Sequence, residues 1–211
     1  MLWSFFNNKT MKALLIIDIQ NDFLPGGSLA VTNGDKIISI VNKTQKHFDL
    51  VIATQDWHPA NHKSFASNHS NKAIFEVIKL NGSDQVLWPD HCIQGSFGAD
   101  FSTELNMHQV SAVIRKGTNL EIDSYSGFFD NNKQNSTGLH GLLKEKNITE
   151  VYVCGLAADY CVYYTAKDAA ELGYKTFFIE DATKPISDEN YALAKEDLTS
   201  LGVIFTDSSK L

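Results

Sequence analysis

Cys161 lies in VYVCGLAADYCV, residues 151–162, where an apolar run stops at Gly155 and five further residues lead into a helical pattern. A strand, a tight turn and a helix in succession would set the thiol at a helix N-terminus, where unpaired backbone N–H groups and the helix dipole favour a thiolate. The competing reading is a buried cysteine on a crossover helix, since free Cys packs readily in cores. A catalytic thiol, mostly protonated at neutral pH, needs a base and a cation beside it. Asp18 and Lys116, each at the end of an apolar run, offer that base and that cation. With Cys161 they would form an acid–cation–thiol set able to attack a carbonyl, with the backbone N–H groups of the 157–161 turn holding the oxyanion. Taken singly, Asp18 and Lys116 read equally well as an ion pair at a strand edge.

A second set lies in DWHPANH and WPDHC. Asp56 and His58 are two apart, so they point the same way if the chain stays extended, and His91 follows after a gap. One carboxylate and two imidazoles with open positions make a catalytic ligand set suited to zinc, iron or manganese. His62 is a candidate fourth ligand or a supporting partner. The alternative is a histidine-rich loop that packs on its tryptophans. Phe23, Trp88 and Tyr125 fall in the connections on the same side and could wall a pocket for a flat ring. His47, His69, His108 and His140 lack such context and read as surface or core residues.

The elements that must position these groups are legible as apolar runs. Residues 12–18, 50–55, 110–114, 148–153, 175–180 and 203–206 read as strands, near-continuous in their apolar residues as in sheets buried on both faces. Helical patterns occupy 33–48, 139–147, 161–172 and 187–200, the third closed by Gly173. Alternating strands and helices imply right-handed crossovers and a doubly wound, mainly parallel six-stranded sheet flanked by helices, the Rossmann-type three-layer α/β arrangement. Ligands in such sheets bind at the carboxyl ends of the strands. Asp18, Asp56, Lys116 and Cys161 would therefore gather on one rim. Residues 57–109 carry no strong period and form a long insertion expected to cover the site.

At 211 residues the chain fits a single domain, assigned to residues 11–211, with residues 1–10 a tail the fold does not require and Met11 a plausible start. A formal charge of −7 without basic runs argues against a nucleic-acid partner. No apolar segment approaches the about 18 residues of a membrane span, so no membrane partner is expected. Three cysteines without CxxC spacing point to a reducing compartment, the cytoplasm. Neither a G-x-G-x-x-G turn nor a P-loop is present, which removes nucleotide binding through those devices. Oligomeric state is open.

Taken together, DIQNDF at 18–23, PGGSLAV at 25–31, QDWHPANHKSFASNH at 55–69, WPDHC at 88–92, the Lys116–Gly117 pair, DSYSGFFDN at 123–131 and GLAADYCV at 155–162 resemble the nicotinamidases of the isochorismatase-like cysteine hydrolase superfamily. The resemblance runs from about Lys12 to the C-terminus. It implies Cys161 as nucleophile, Asp18 as general base and Lys116 as the group that stabilises thiolate and charge. It also implies a cis peptide at Leu156–Ala157 and an oxyanion hole from the N–H groups of Ala157 and Cys161. Asp56, His58 and His91 match the ligands of one divalent metal; the fourth ligand varies in the family, which leaves His62 open. Phe23, Trp88, Tyr125 and Leu156 match the substrate pocket. The implied reaction is hydrolysis of nicotinamide to nicotinate and ammonia through a cysteine thioester, feeding NAD salvage, with pyrazinamide also accepted. Ala158 departs from the pattern, where many members have Thr, and loosens a hydrogen bond of the turn without touching the chemistry. Two other readings stand beside this one: an amidase of the same superfamily acting on a ureido or carbamoyl group, and a metal-binding or ligand-sensing protein on an inactive scaffold.

Overall fold

The computed structural model of the protein describes residues 10–211, so the proposed tail lies outside the described residues except for Thr10. The apolar runs become a six-stranded sheet. Its strands are β1 (Lys12–Ile17), β2 (Leu50–Asp56), β5 (Ala112–Lys116), β6 (Glu150–Leu156), β7 (Lys175–Lys184) and β8 (Ile204–Thr206). They lie in the order β5-β2-β1-β6-β7-β8, and every pairing is parallel. A separate antiparallel hairpin, β3 (Val77–Leu80) with β4 (Ser83–Val86), lies within the insertion.

The central strands read as continuous apolar runs because each feeds two cores. Along β1, Leu14 and Ile16 pack on one face with Ile37, Ile38 and Val41. Ala13, Leu15 and Ile17 pack on the other with Leu139, Leu143, Val162 and Ala166. The first face is covered by α1 (Ile38–Thr44), the second by α2 (Leu139–Glu145), α3 (Cys161–Glu171) and α4 (Asp188–Ser200), completing three layers. Ser187 caps α4, its hydroxyl accepting from the Asn190 N–H.

Several details differ from the sequence reading, among them β6, which begins two residues later and ends three residues later than expected. The expected helix over 33–48 is α-helical only in its middle and closes into 3-10 turns at Gly34–Ile37 and Gln45–His47. β7 runs four residues further than expected. The third expected strand is shifted by two residues, so Lys116 is the last residue of β5 instead of following it, and it pairs directly with Asp56. This is an edge strand, in which Val113 and Arg115 turn outward while Lys116 turns in; its exposed half blurs the apolar run that marks the central strands. The hairpin was not expected at all, because its residues are exposed or half-buried apart from Gln85 and its sequence has no clear apolar–polar alternation.

The chain steps outward from β1 to β2 and β5, then returns to the other side of β1 as β6. The order therefore reverses between β1 and β6, and the crevice at their carboxyl ends is the place where such sheets bind ligands. β6 reaches that point through Gly155, at φ +114, where an added Cβ would lie 2.1 Å from the Ile17 carbonyl oxygen. Both backbone conformation and space thus exclude a side chain here. The substitution Gly155→Ala should cost about 3 kcal/mol or more. Urea unfolding measures it, and a loss below about 0.5 kcal/mol would contradict this account of the strand end.

Candidate active site and metal centre

Lys116 reaches the crevice from the end of β5 with its side chain fully buried. Its ammonium Nζ lies 2.9 Å from Asp18 Oδ2, 3.0 Å from Asp56 Oδ1 and 3.4 Å from Cys161 Sγ, and it donates to the Ser124 carbonyl at 2.9 Å. Burial alone would depress this ammonium, but Asp18 and Asp56 outweigh it and hold its pKa well above the ordinary lysine value. Asp18, Lys116 and Cys161 therefore meet at one cation, although ninety-eight residues separate the first pair and forty-five the second.

Asp18 follows β1 at φ +46 and is fully buried. The Thr54 hydroxyl donates to Asp18 Oδ1 at 2.6 Å and accepts from the Asp18 backbone N–H at 3.2 Å. Its Oδ2 approaches Lys116 at ion-pair distance without hydrogen-bond alignment and has no hydrogen-bond donor. Burial raises the Asp18 pKa, with Lys116 opposing and Asp56 adding to the rise. Burial also pushes the Cys161 thiol well above its ordinary value against the pull of Lys116. A thiol and a carboxyl group whose proton affinities are both raised thus share the Lys116 ammonium, an arrangement suited to proton transfer.

Asp56 is shared between Lys116 and two imidazoles. Its Oδ2 lies 3.1 Å from His58 Nε2 and 3.4 Å from His91 Nε2. Burial pushes its carboxyl up, but His58 and Lys116 outweigh it and hold the pKa well below the usual carboxylate range. Gln20 fixes the peptide of Asp56 from both sides, its amide accepting from the Asp56 N–H and donating to the Asp56 carbonyl, each at 2.8 Å. His58 Nδ1–H donates to the Gly117 carbonyl at 2.9 Å, and His91 Nδ1–H to the Pro89 carbonyl at 2.8 Å. Gly117 allows that approach: at φ +64, an added Cβ would lie 2.3 Å from the His58 ring.

These carbonyls set the tautomers and so test whether the residues suit a metal. With both Nδ1 atoms donating, each ring in its neutral form presents its Nε2 lone pair toward the Asp56 carboxylate. Three acceptors converge within 4.8 Å, and His58 Nε2 is buried without a hydrogen-bond partner. Acceptors facing acceptors need a cation between them, a metal ion or a proton: against the cost of burial, Asp56 raises the His58 pKa, so a proton is held there until a divalent ion displaces it. The charges agree, because the buried carboxyl groups of Asp18, Asp56 and Asp123 outnumber the one ammonium of Lys116. Asp56, His58 and His91 thus fit a divalent ion.

His62 answers differently. The Ser64 backbone N–H donates to its Nδ1 at 3.1 Å, so the neutral ring carries its proton on Nε2 and offers no lone pair there. Burial lowers its pKa, which keeps the ring neutral. It stands next to His58, ring centroids 4.5 Å apart, as a neighbour of the ligand set.

A narrow cleft opens onto both groups, with Asp56, His91 and Cys161 in its lining. Phe23, Trp88 and Tyr125 line it as expected. Leu156 has its side chain in the core beneath, and Ala157, across the cis peptide from it, lines the cleft. A larger open groove beside Asp22, Pro25 and Phe97 shares no lining residue with the cleft. The turn before α3 is closed by the Tyr160 and Val162 N–H groups, both donating to the Ala157 carbonyl at 3.1 Å. Cys161 is the first residue of α3, so its N–H has no acceptor within the helix.

Sequence reasoning missed Thr54, Asp123, Tyr160 and Ile186. Thr54 was within reach, being two residues before Asp56 and so on the same side of β2. Tyr160 adjoins Cys161 and lines the cleft. Asp123, 4.0 Å from His58 Nε2, carried no spacing signal. Ile186 arrives because the Asp159 carboxylate accepts from the Ile186 N–H at 2.8 Å and the Ser187 N–H at 2.9 Å.

Residues 12–210 match the isochorismatase domain family. The chain is 46% identical to the nicotinamidase of Acinetobacter baylyi over 193 residues, 90% of either chain. Among solved structures it is similar to a nicotinamidase and pyrazinamidase of Acinetobacter baumanii, with TM-score 0.93, 46% identity, and 96% and 99% of the two chains covered. A pyrazinamidase of Pyrococcus horikoshii in complex with zinc superposes with TM-score 0.76 at 36% identity, covering 93% and 98%.

Adding zinc or manganese to metal-stripped protein should raise its thermal midpoint, the stabilisation reaching about 2.7 kcal/mol at a free ion concentration a hundredfold above Kd. His58→Ala should abolish the rise. A midpoint that no divalent ion moves would sink the assignment of this ligand set.

Proposed function

The chain belongs to the isochorismatase domain family and groups there with the nicotinamidases, which are amide hydrolases; on that premise we propose that it hydrolyses nicotinamide to nicotinate and ammonia through a thioester on Cys161. The observation that carries the reading is the single buried ammonium of Lys116, in contact with the thiol, the carboxylate of Asp18 and the carboxylate of Asp56 at once. It joins a nucleophile to a ligand set, which a purely structural ion pair would not need.

In this reading Asp56, His58 and His91 would hold a divalent ion of the zinc, iron and manganese group, which would supply a Lewis acid for the pyridine ring. Phe23, Trp88 and Tyr125 enclose the ring and exclude water from its faces. Asp18 accepts the thiol proton as sulfur attacks the carboxamide carbon, and Lys116 stabilises the thiolate as it forms. The N–H groups of Ala157 and Cys161 receive the oxyanion, where such donors contribute about 3 kcal/mol each. The proton on Asp18 passes to the departing ammonia, leaving the acyl group on sulfur. Asp18 then deprotonates a water that attacks the thioester, and nicotinate leaves with the thiol restored. The raised proton affinity of Asp18 suits both transfers.

Pyrazinamide, with a ring nitrogen in the same place relative to its carboxamide, is a second substrate of the proposal. The reaction would serve NAD salvage in the cytoplasm, within a single domain spanning residues 11–211.

Ammonia release from nicotinamide tests the reading. Cys161→Ala and Asp18→Asn should each lower kcat about a thousandfold or more while the protein stays folded. Turnover by a folded Cys161→Ala protein would overturn the thioester route.

A further inference from the structure

The β3–β4 hairpin has one buried residue, Gln85. The rest of the hairpin is exposed or half-buried, with Lys79 and Asp84 paired in solvent. A two-stranded hairpin is marginal by itself, so its attachments decide what it does. Three of its side chains bond to one segment, residues 121–132. Asn81 donates to the Glu121 carbonyl at 2.6 Å, and the Ser83 hydroxyl to the Asn132 side-chain oxygen at 2.6 Å. Gln85 Nε2 shares its two hydrogens among three acceptors, the Val86 carbonyl at 2.8 Å and, as a forked bond, the Tyr125 phenol oxygen at 3.0 Å and the Asp123 carboxylate at 3.3 Å. The carbonyl and the carboxylate fix the orientation of the amide, because a flipped amide would set oxygen against oxygen.

The Tyr125 oxygen accepts a second bond, from Trp88 Nε1–H at 3.1 Å. Two N–H donors on one phenol oxygen lock the Tyr125 ring against Trp88, edge to face at 6.1 Å and 85°. Tyr160 completes the box, 4.8 Å from Trp88 and 5.6 Å from Tyr125. These three rings line the cleft beside Cys161.

We infer that the hairpin is a clamp on the substrate slot and that Gln85 is a positioning residue which sets ring specificity by holding Tyr125 against Trp88. The inference rests on the nicotinamide reading for its substrate and on the hydrogen bonds for its mechanism. Gln85 touches neither the reacting atoms nor the proposed metal ligands. Its loss should therefore act on ring binding and leave the chemical step alone.

The test compares Gln85→Met, close in volume but unable to donate, with Tyr125→Phe and the double variant. Gln85→Met should raise KM for nicotinamide about tenfold and keep kcat within about twofold. Preference for nicotinamide over a ring-methylated nicotinamide should fall from about tenfold or more to about threefold or less. The double variant should lose clearly less than the sum of the two single losses, since both remove the Gln85–Tyr125 bond. An unchanged KM and preference in Gln85→Met, or additive losses in the double variant, would overturn the clamp. Hydrogen exchange separates this from the function itself. Amides of residues 121–132 should exchange about tenfold faster in Gln85→Met whatever the substrate proves to be. Equal exchange would sink the clamp, whereas wild-type protein that releases no ammonia from nicotinamide would sink the proposed reaction and leave the exchange result to judge the clamp.

Discussion

A lysine ammonium without water must be surrounded by negative charge and acceptors, and this constraint organises the crevice. Removing Lys116 from solvent carries a desolvation cost of several kcal/mol, which close partners must offset. Those partners come from four separate places: the end of β1, the end of β2, the 123–131 loop and the start of α3. The arrangement is thus all or nothing. Removing one carboxylate would strand a buried charge, and removing the ammonium would leave two buried carboxylates facing each other across the site.

The sheet supplies the geometry that this charge cluster requires. β5 and β2 pair so that Lys116 and Asp56 are direct neighbours in the ladder. β1 lies between β2 and β6, so Asp18 reaches the cluster from one side of the reversal and Cys161 from the other. The loops then add what strands cannot, namely two imidazoles with their tautomers set by backbone carbonyls and a set of aromatic rings at right angles. Strand ends hold the charges, and loops shape the space around them.

Much of this was legible in the sequence, for identifiable physical reasons. The central strands β1, β2 and β6 are buried on both faces, so their residues had to be uniformly apolar, and their polar ends stand out as Asp18, Asp56 and the turn before Cys161. The edge strand β5 alternates, and its bounds were misplaced by two residues. The hairpin escaped notice because its stability comes from side-chain bonds to residues 121–132, which leave no periodic trace. His62 shows a different limit. Its spacing beside His58 suits a ligand, yet a single backbone N–H from Ser64 decides which ring nitrogen carries the proton. Tautomers are written in three dimensions, and residue type alone does not contain them.

Gln20 draws these threads together. The paired register of β1 and β2 ends at Ile16 and Ala53, after which β1 turns away toward the cleft. Beyond that point the Gln20 amide meets the N–H and carbonyl of Asp56 as a neighbouring peptide would, and it also donates to the Ala99 carbonyl at 2.8 Å. One side chain thus prolongs the ladder after the backbone has left it. The main chain between Ile17 and Phe23 is freed to wander outward and build a wall, while the last residue of β2 stays in a lattice as firm as that of the sheet interior.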